Sequence, residues 1–262
     1  MEKVFLTGSK GFLGSHLLKR FPDAICIPHD KIDSIKLTPF DRFFFLSSYG
    51  NMSFHDDDAK IFKANISDLI SILTQKATYK GFKSFTFIST SSVRLPVQTM
   101  YSRSKKAAEE ILLAFMEKHK LPICIIRPFS ICGVNEQKEH LIPTLIRSCM
   151  KGEKVNLVLE PMHDFIDVED IVDGIVNLSD HSARGIYELG TGHQTSNKEV
   201  LEIVEKVCGK KANVNIVPSI REYDTANWVS TNFKARGYGW LPRKTLEQSI
   251  EESYEYFTKT NN

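Results

Sequence analysis

The chain has 262 residues, enough to bury a sizeable core as one large α/β domain or as a nucleotide-binding domain with a small appended lobe. Its 42% hydrophobic and 25% charged residues are those of an ordinary globular protein, and 34 Lys plus Arg against 32 Asp plus Glu leave a formal charge of +2. That balance, without any alternation of basic and aromatic residues, argues against a nucleic-acid partner. The cysteines Cys26, Cys124, Cys132, Cys149 and Cys208 are scattered and contain no C-x-x-C, so they read as reduced thiols, with no metal site expected. The first apolar run is broken by Thr7, Gly8 and Ser9, unlike a signal peptide. No stretch approaches the roughly 20 apolar residues of a membrane span. A cytoplasmic protein with no membrane partner is the expectation.

In chain order, short apolar runs alternate with helical patterns, which is the mark of a βαβ series and a parallel sheet. Residues 4–6 form a strand stopped by a glycine-rich turn, and Leu13, Leu17 and Leu18 then recur at helical spacing. Residues 24–27 and 42–46 read as strands. Residues 65–76 read as a helix through Ile66, Leu69, Ile70 and Leu73, and 84–89 as a buried strand. A long helix over 101–119 has Ala107, Ala108, Ile111, Leu112 and Phe115 on its apolar side. The strand 122–127 ends at Pro128, which cannot donate to a ladder. Further helices are expected at 139–151, 168–178, 197–208 and 245–258. The fold class is therefore α/β, a Rossmann-type doubly wound parallel sheet with a small C-terminal substrate lobe. Residues 1–130 would form the dinucleotide-binding domain, with 164–195 returning to it, and 131–163 with 196–262 the smaller lobe.

Gly8, Gly11 and Gly14 make G-x-x-G-x-x-G between a strand and a helix. Gly8 can turn where a side chain would clash, Gly11 lets the backbone approach a pyrophosphate, and Gly14 lets the helix pack closely on the strand. The helix opening at Phe12 and Leu13 then offers free N–H groups and a favourable dipole to the phosphates. Glycine triplets also mark ordinary turns, but the strand–turn–helix setting is what dinucleotide binding requires. Asp30 follows the second strand, where an acid holds the adenosine ribose and favours NAD. Its neighbours His29 and Lys31 leave NADP open, and an exposed turn acid is a further reading.

Tyr101 and Lys105 form Y-x-x-x-K at the start of the long helix, one turn apart on one face. An ammonium there would stabilise a phenolate and lower the tyrosine pKa from about 10, fitting Tyr101 for proton transfer. The strand before it ends in Ser89, Thr90, Ser91 and Ser92. In an open parallel sheet, ligands bind at that end, where a hydroxyl can meet a reacting oxygen. Glycine turn, hydroxyl-rich strand end and Y-x-x-x-K together point to hydride chemistry on a sugar-like alcohol or ketone.

With these motifs in place, the chain resembles an extended short-chain dehydrogenase/reductase of the NAD-dependent epimerase/dehydratase family, whose members act mostly on nucleotide sugars. TGSKGFLG resembles the family's TGxxGFxG turn, and FISTSSV its hydroxyl-bearing strand end. YSRSKKAAE resembles its Tyr/Lys helix, RPFSICG its RPxNxYG segment, and HDFIDVEDIVDGI its RDFxxVxDxxxA segment. GIYELGTGHQTSNKEV and GWLPRKTLEQSI resemble its later GxxxNxGxG and GWxPxxxLxxGL stretches. The resemblance implies Thr90 as the catalytic hydroxyl with Ser91 as fallback, Tyr101 as acid/base, and Lys105 on the nicotinamide ribose. It places Leu46, Ser47 and Ser48 against the cofactor where the family usually has LAA, and Pro128 and Phe129 beside the nicotinamide. Ser130, His163 and Arg221 would face the substrate. Helices 65–76 and 101–119 would pair in a homodimer.

Several positions depart from the family pattern. Ser91–Ser92 stand where the sugar 4,6-dehydratases carry Asp-Glu, which argues against a dehydratase. Ser130 replaces an Asn, Arg94 a Tyr, and His163 an Arg. The 11-position step from Thr90 to Tyr101 is short, as is the link from Asp30 to Asp41, where one strand–helix step is expected to be missing. The implied activity is an NAD(P)-dependent nucleotide-sugar 4-epimerase or 4-ketoreductase. The alternative is a non-catalytic dinucleotide-binding sensor or assembly protein on the same fold.

Overall fold

The computed structural model describes residues 2–52, 54–75, 81–219 and 227–260. The strands of its central sheet are β1 (Val4–Thr7), β2 (Ile25–Ile27), β3 (Arg42–Phe45), β4 (Ser84–Ile88), β5 (Ile123–Pro128) and β10 (Gly185–Leu189). The six lie in the order β10-β5-β4-β3-β1-β2. Strands β2, β1, β3, β4 and β5 are paired in parallel. Helix α1 (Phe12–Arg20) follows β1, and α4 (Met100–His119) joins β4 to β5.

Phenylalanine makes one face of this sheet. In the parallel register Phe5, Phe43, Phe85 and Ile123 fall side by side, as do Phe45, Phe87 and Ile125. Ring centroids are 6.0 Å apart for Phe5–Phe43 and 5.0 Å for Phe43–Phe85. Leu69 and Ile72 of α3 (Asp68–Leu73), with Ala108 and Leu112 of α4, pack into the same core. The period-2 alternation then puts Leu6, Phe44, Thr86 and Cys124 on the opposite face, also fully buried.

The expected helix over 65–76 starts earlier and is not regular. α2 (Asp58–Phe62), begun by an Asp57 side chain that accepts the Lys60 N–H, runs through a π-turn at Lys63–Ser67 into α3. The buried stripe is Leu69, Ile72 and Leu73, while Ile70 is exposed, so the helix turns a different face inward from the one the apolar spacing suggests. The link from Asp30 to Asp41 carries only a 3-10 turn, His29–Lys31, and no strand, which leaves β2 at the sheet edge. Among the described residues no strand takes the place outside β2 that the usual 3-2-1-4-5-6 order fills. Ile32, Leu37 and Phe40 fill the space beneath the link, and Gln75 clamps it by donating to the Ile35 carbonyl and accepting the Leu37 N–H.

The chain divides into two compact units. The first is Met1–Pro128, Val172–Glu188 and Lys234–Trp240, and contains the central sheet. The second is Phe129–Ile171, Leu189–Phe233 and Leu241–Asn262. Its core joins α5 (Leu141–Lys151), α7 (Asn197–Cys208) and α9 (Leu246–Thr260) through Ile142, Leu145, Ile146, Val200, Val204 and Ile250. Short paired strands accompany them: β6 (Ser130–Cys132) with β9 (Phe165–Asp167), β7 (Val155–Leu157) with β12 (Val214–Ile216), and β8 (Met162–His163) with β11 (Thr195–Ser196). The remaining helices are α6 (Val168–Asp180) and the single turn α8 (Phe233–Arg236). All five cysteines are free thiols. Among the described residues no helix is long and apolar enough to cross a membrane.

Phe43 contacts both neighbouring strands' rings and is fully buried, so Phe43→Ala leaves a void in the middle of the sheet. A loss of about 3–5 kcal/mol of unfolding free energy is expected, measured as a lowered urea midpoint with an unchanged slope.

Candidate active site

The site grows from the carboxyl ends of β1, β3 and β4. Thr7 Oγ1 accepts the N–H groups of Leu46 and Ser47 at 3.0 and 3.1 Å, which ties β1 to β3 where both strands end. Gly8 has φ +71°, and a Cβ there would lie 2.9 Å from Leu46 C and Ser47 N. A Cβ on Gly14 would lie 2.0 Å from the Gly8 carbonyl oxygen, so helix α1 can approach the turn only with glycine at that position. Gly11 caps α1 without any side-chain hydrogen bond, and the first turn contains no acid. The positive end of the helix dipole is thus left for an anion. Asp30 is exposed in the 3-10 turn just past β2, with Lys31 Nζ at 4.0 Å.

Thr90, two residues past β4, caps a short 3-10 helix, accepting the Ser92 N–H at 3.2 Å. On α4, begun by a Thr99 cap, the half-buried Tyr101 meets Thr90 and Ser48 through its hydroxyl. Thr90 and not the buried Ser91 is the hydroxyl brought to Tyr101. Lys105 is buried one turn further on, its ammonium 4.2 Å from the centroid of the Phe87 ring. A cation–π contact of this kind contributes at most about 2 kcal/mol, whereas taking an ammonium out of water costs several. Desolvation therefore wins and lowers the Lys105 pKa to about 7, although Glu109 opposes the shift. Burial likewise raises the Tyr101 pKa, against the hydrogen bonds from Ser48 and Thr90. The lowered tyrosine value expected from Y-x-x-x-K is thus not found in the protein by itself. Burial thus makes the Lys105 ammonium far easier to deprotonate than an exposed one.

Glu109 continues the same helical face and is buried. It accepts the Ser89 hydroxyl at 2.5 Å and Arg127 Nε and Nη2 at 2.9 and 2.6 Å. The next i,i+4 step after Y-x-x-x-K was its signal in the sequence. Asn65 had none: it is fully buried in the π-turn and bonds Ser48, Tyr49 and Ser104.

These features are those of a known family, and its model matches residues 50–190. The chain belongs to the NAD dependent epimerase/dehydratase family. A curated relative, the dTDP-D-glucose 4,6-dehydratase of Mus musculus, is 22% identical over 98% of this chain and 89% of its own length. The UDP-glucose 4-epimerase of Thermotoga maritima, solved with UDP-glucose, superposes with a TM-score of 0.88 at 20% identity, covering 99% of this chain and 100% of that one. The UDP-glucose 4-epimerase of Thermus thermophilus, solved with NAD, gives 0.87 at 19% identity over 98% and 99% of the two chains.

Within this family framework, the remaining expected site residues are distributed as follows. Leu46 is half-buried, Ser47 buried and Ser48 exposed at the end of β3, and Phe12 and Leu13 are half-buried at the start of α1. Pro128 ends β5, and Phe129, in the second unit, is buried with its N–H on the Leu189 carbonyl at 3.0 Å. Ser130 donates its N–H to the Asp164 carbonyl. His163 lies 5.1 Å from the ring of Trp228 and 5.7 Å from that of Phe165. Arg221 lies outside the described residues. Arg94, at the position where the family has Tyr, holds both oxygens of Glu188 at 3.0 Å. Asp164, beside His163, is a hub: it accepts Thr191 N and Oγ1, Gly192 N and Ser230 N at 2.6–3.0 Å.

The suppressed charge of Lys105 gives a pH signature. Its folded pKa of about 7 lies below the unfolded value of about 10.4, so the fold binds this proton less well than the open chain does. The penalty is full below about pH 7 and fades as the pH climbs toward about 10. Lys105→Met is therefore expected to be more stable than the native protein at about pH 6, with the difference shrinking at higher pH. Urea denaturation across this range checks it, and a pH-independent difference would count against a desolvated ammonium.

Proposed function

We propose that the protein is an NAD-dependent nucleotide-sugar oxidoreductase, a 4-epimerase or 4-ketoreductase, in which Tyr101 exchanges the proton on the sugar oxygen. The observation that carries this reading is the meeting of Thr90 and Tyr101 at the end of β4, with Lys105 one helical turn away. The glycine turn fits a dinucleotide, since its approach to α1 leaves no room for a Cβ at Gly14 and its helix end has no acid to repel a phosphate. NAD, when bound, supplies or accepts the hydride.

Each residue has a role in this reading. Gly8, Gly11, Gly14, Phe12 and Leu13 hold the pyrophosphate, and Asp30 the adenosine ribose. The exposed Asp30 carboxylate would repel a 2′-phosphate, which favours NAD over NADP, although Lys31 tempers the effect. Lys105 binds the nicotinamide ribose, and Leu46, Ser47, Ser48, Pro128 and Phe129 line the cofactor. Thr90 orients the substrate oxygen against Tyr101, with Ser91 behind it. Ser130, His163 and Arg221 serve the sugar nucleotide, as the family resemblance implies. Family relatives include 4,6-dehydratases, but elimination of water needs an acid and a base, and Ser91–Ser92 supply neither. A second copy of the chain would cover the exposed flank of Phe62 and Ile70 beside α4 to form a homodimer.

Denaturing freshly purified protein and measuring the nicotinamide dinucleotide released separates the two activities. Near one NAD per subunit is expected of an epimerase, whereas an empty protein that binds NADH or NADPH reversibly is expected of a ketoreductase. Tyr101→Phe is expected to keep the cofactor and lose about 10²–10⁴-fold in turnover of a UDP-, dTDP- or GDP-sugar. Retained turnover in that variant would sink the tyrosine mechanism. A cofactor-loaded native protein inert toward the whole panel would indicate a non-catalytic binder.

A further inference from the structure

The 11-position step from Thr90 to Tyr101 is folded back on itself by short-range bonds. Thr90 caps the 3-10 helix Ser91–Arg94, and its Oγ1 accepts the Ser92 N–H at 3.2 Å and meets the Ser92 hydroxyl at 3.0 Å. The Leu95 N–H returns to the Ser92 carbonyl at 3.1 Å. Gln98 then donates from Nε2 to the carbonyls of Val93 at 2.8 Å and Leu95 at 3.3 Å. Ser91, Val93 and Leu95 are buried, which seats one side of the turn. The Thr90 hydroxyl is thus bonded to the helix it caps, and a displacement of that helix carries the hydroxyl with it.

The far end of the same helix is held from outside. Arg94 Nη1 donates to both carboxylate oxygens of Glu188 at 3.0 Å, 94 positions on in sequence. Glu188 is the next-to-last residue of β10, and in the sheet β5 lies between β10 and β4. The bond therefore reaches past β5 and ties the turn to a strand other than the one it grows from. The Glu188 side chain is only 15% exposed, against 40% for Arg94. A mostly desolvated carboxylate with both oxygens engaged is a firmer anchor than the usual surface pair. The tyrosine usual in the family at position 94 carries no charge to form this pair.

We propose that Arg94 is a positioning residue: through Glu188 it fixes the 3-10 helix that Thr90 caps, and with it the Thr90 hydroxyl. The proposal deepens the function proposed above and rests on Thr90 being the hydroxyl that orients the substrate oxygen. A short connection has no length of its own with which to wrap and steady this turn, and the tie to β10 supplies a seat set before any substrate arrives. Groups already in place need no ordering during the reaction, and a displacement of about 1 Å can cost on the order of 10²-fold in rate. Arg94 acts through Glu188 and the helix and touches no reacting atom.

Amide hydrogen exchange of the full chain, followed by NMR, tests the clamp without cofactor or substrate, so its failure is distinct from failure of the proposed activity. The Ser92 N–H reports on Thr90 directly, because Thr90 Oγ1 is its acceptor. Arg94→Ala is expected to speed exchange at Ser92 and Leu95 about tenfold through local opening. The urea midpoint is expected to stay nearly unchanged, since a partly exposed ion pair adds little to global stability. Glu188→Ala is expected to match Arg94→Ala, and the double variant to exchange no faster than either, as two groups acting through one contact require. Arg94→Lys keeps the charge and is expected to recover most of the protection. With a nucleotide sugar that the native protein turns over, both alanine variants are expected to lose about tenfold in kcat at unchanged KM. Native exchange at Ser92 in Arg94→Ala, or additive effects of the two substitutions, would overturn the clamp. A raised KM confined to Arg94→Ala would make Arg94 a substrate ligand, which overturns the positioning role.

Discussion

Thr7 accepts two successive peptide N–H groups, those of Leu46 and Ser47, on a single hydroxyl oxygen. The rest of the site follows from that junction. It sets β1 and β3 so close at their carboxyl ends that Gly8 passes within contact of the Leu46–Ser47 peptide, and α1 approaches Gly8 with no room for a side chain at Gly14. The next residue, Ser48, carries a hydroxyl that acts on the Tyr101 phenol. The glycine turn and the Tyr101 neighbourhood are thus not separate constructions. Both depend on how tightly two neighbouring strands are tied where they leave the sheet.

Electrostatics within α4 work by withholding charge. Tyr101, Lys105 and Glu109 lie along one face, and the ion pair proper is Glu109 with Arg127, buried at the far end and further held by Ser89. Lys105 sits between that pair and the tyrosine, on an aromatic ring and without the full charge an exposed ammonium would carry. A ligand bringing its own hydroxyls or charge would find a lysine whose protonation can respond to it near neutral pH.

Much of this was legible because it is written locally. The glycine turn, the hydroxyl-bearing strand end and the Tyr–Lys pair are short patterns, and the structure brings Thr90 to Tyr101 as they suggest. The runs of phenylalanine in 42–46 and 84–89 announce buried strands, and their rings meet across the sheet. Asn65 was illegible for a physical reason. Its role depends on a π-turn, which shifts the helix off the 3.6-residue period that any reading of Ile66, Leu69, Ile70 and Leu73 assumes. The bond of Ser48 to Asn65, 17 positions away, is likewise made only by the fold and leaves no mark in the sequence. The raised pKa of Tyr101 is illegible for a related reason: spacing places a lysine near a phenol but says nothing about how far burial strips either of water.

The missing strand beyond β2 has a cost unrelated to catalysis. A parallel sheet that stops one strand early exposes a row of backbone donors and acceptors, with Ile25 and Cys26 uncovered on the same strand. Such a border can recruit a strand from another chain and seed aggregation. Here β2 is only three residues long, and Pro22 and Pro28 flank it, so a recruited strand would find few partners before its ladder ended. The shortened link removed a wall of the sheet, and brevity and proline keep the border it left closed to association.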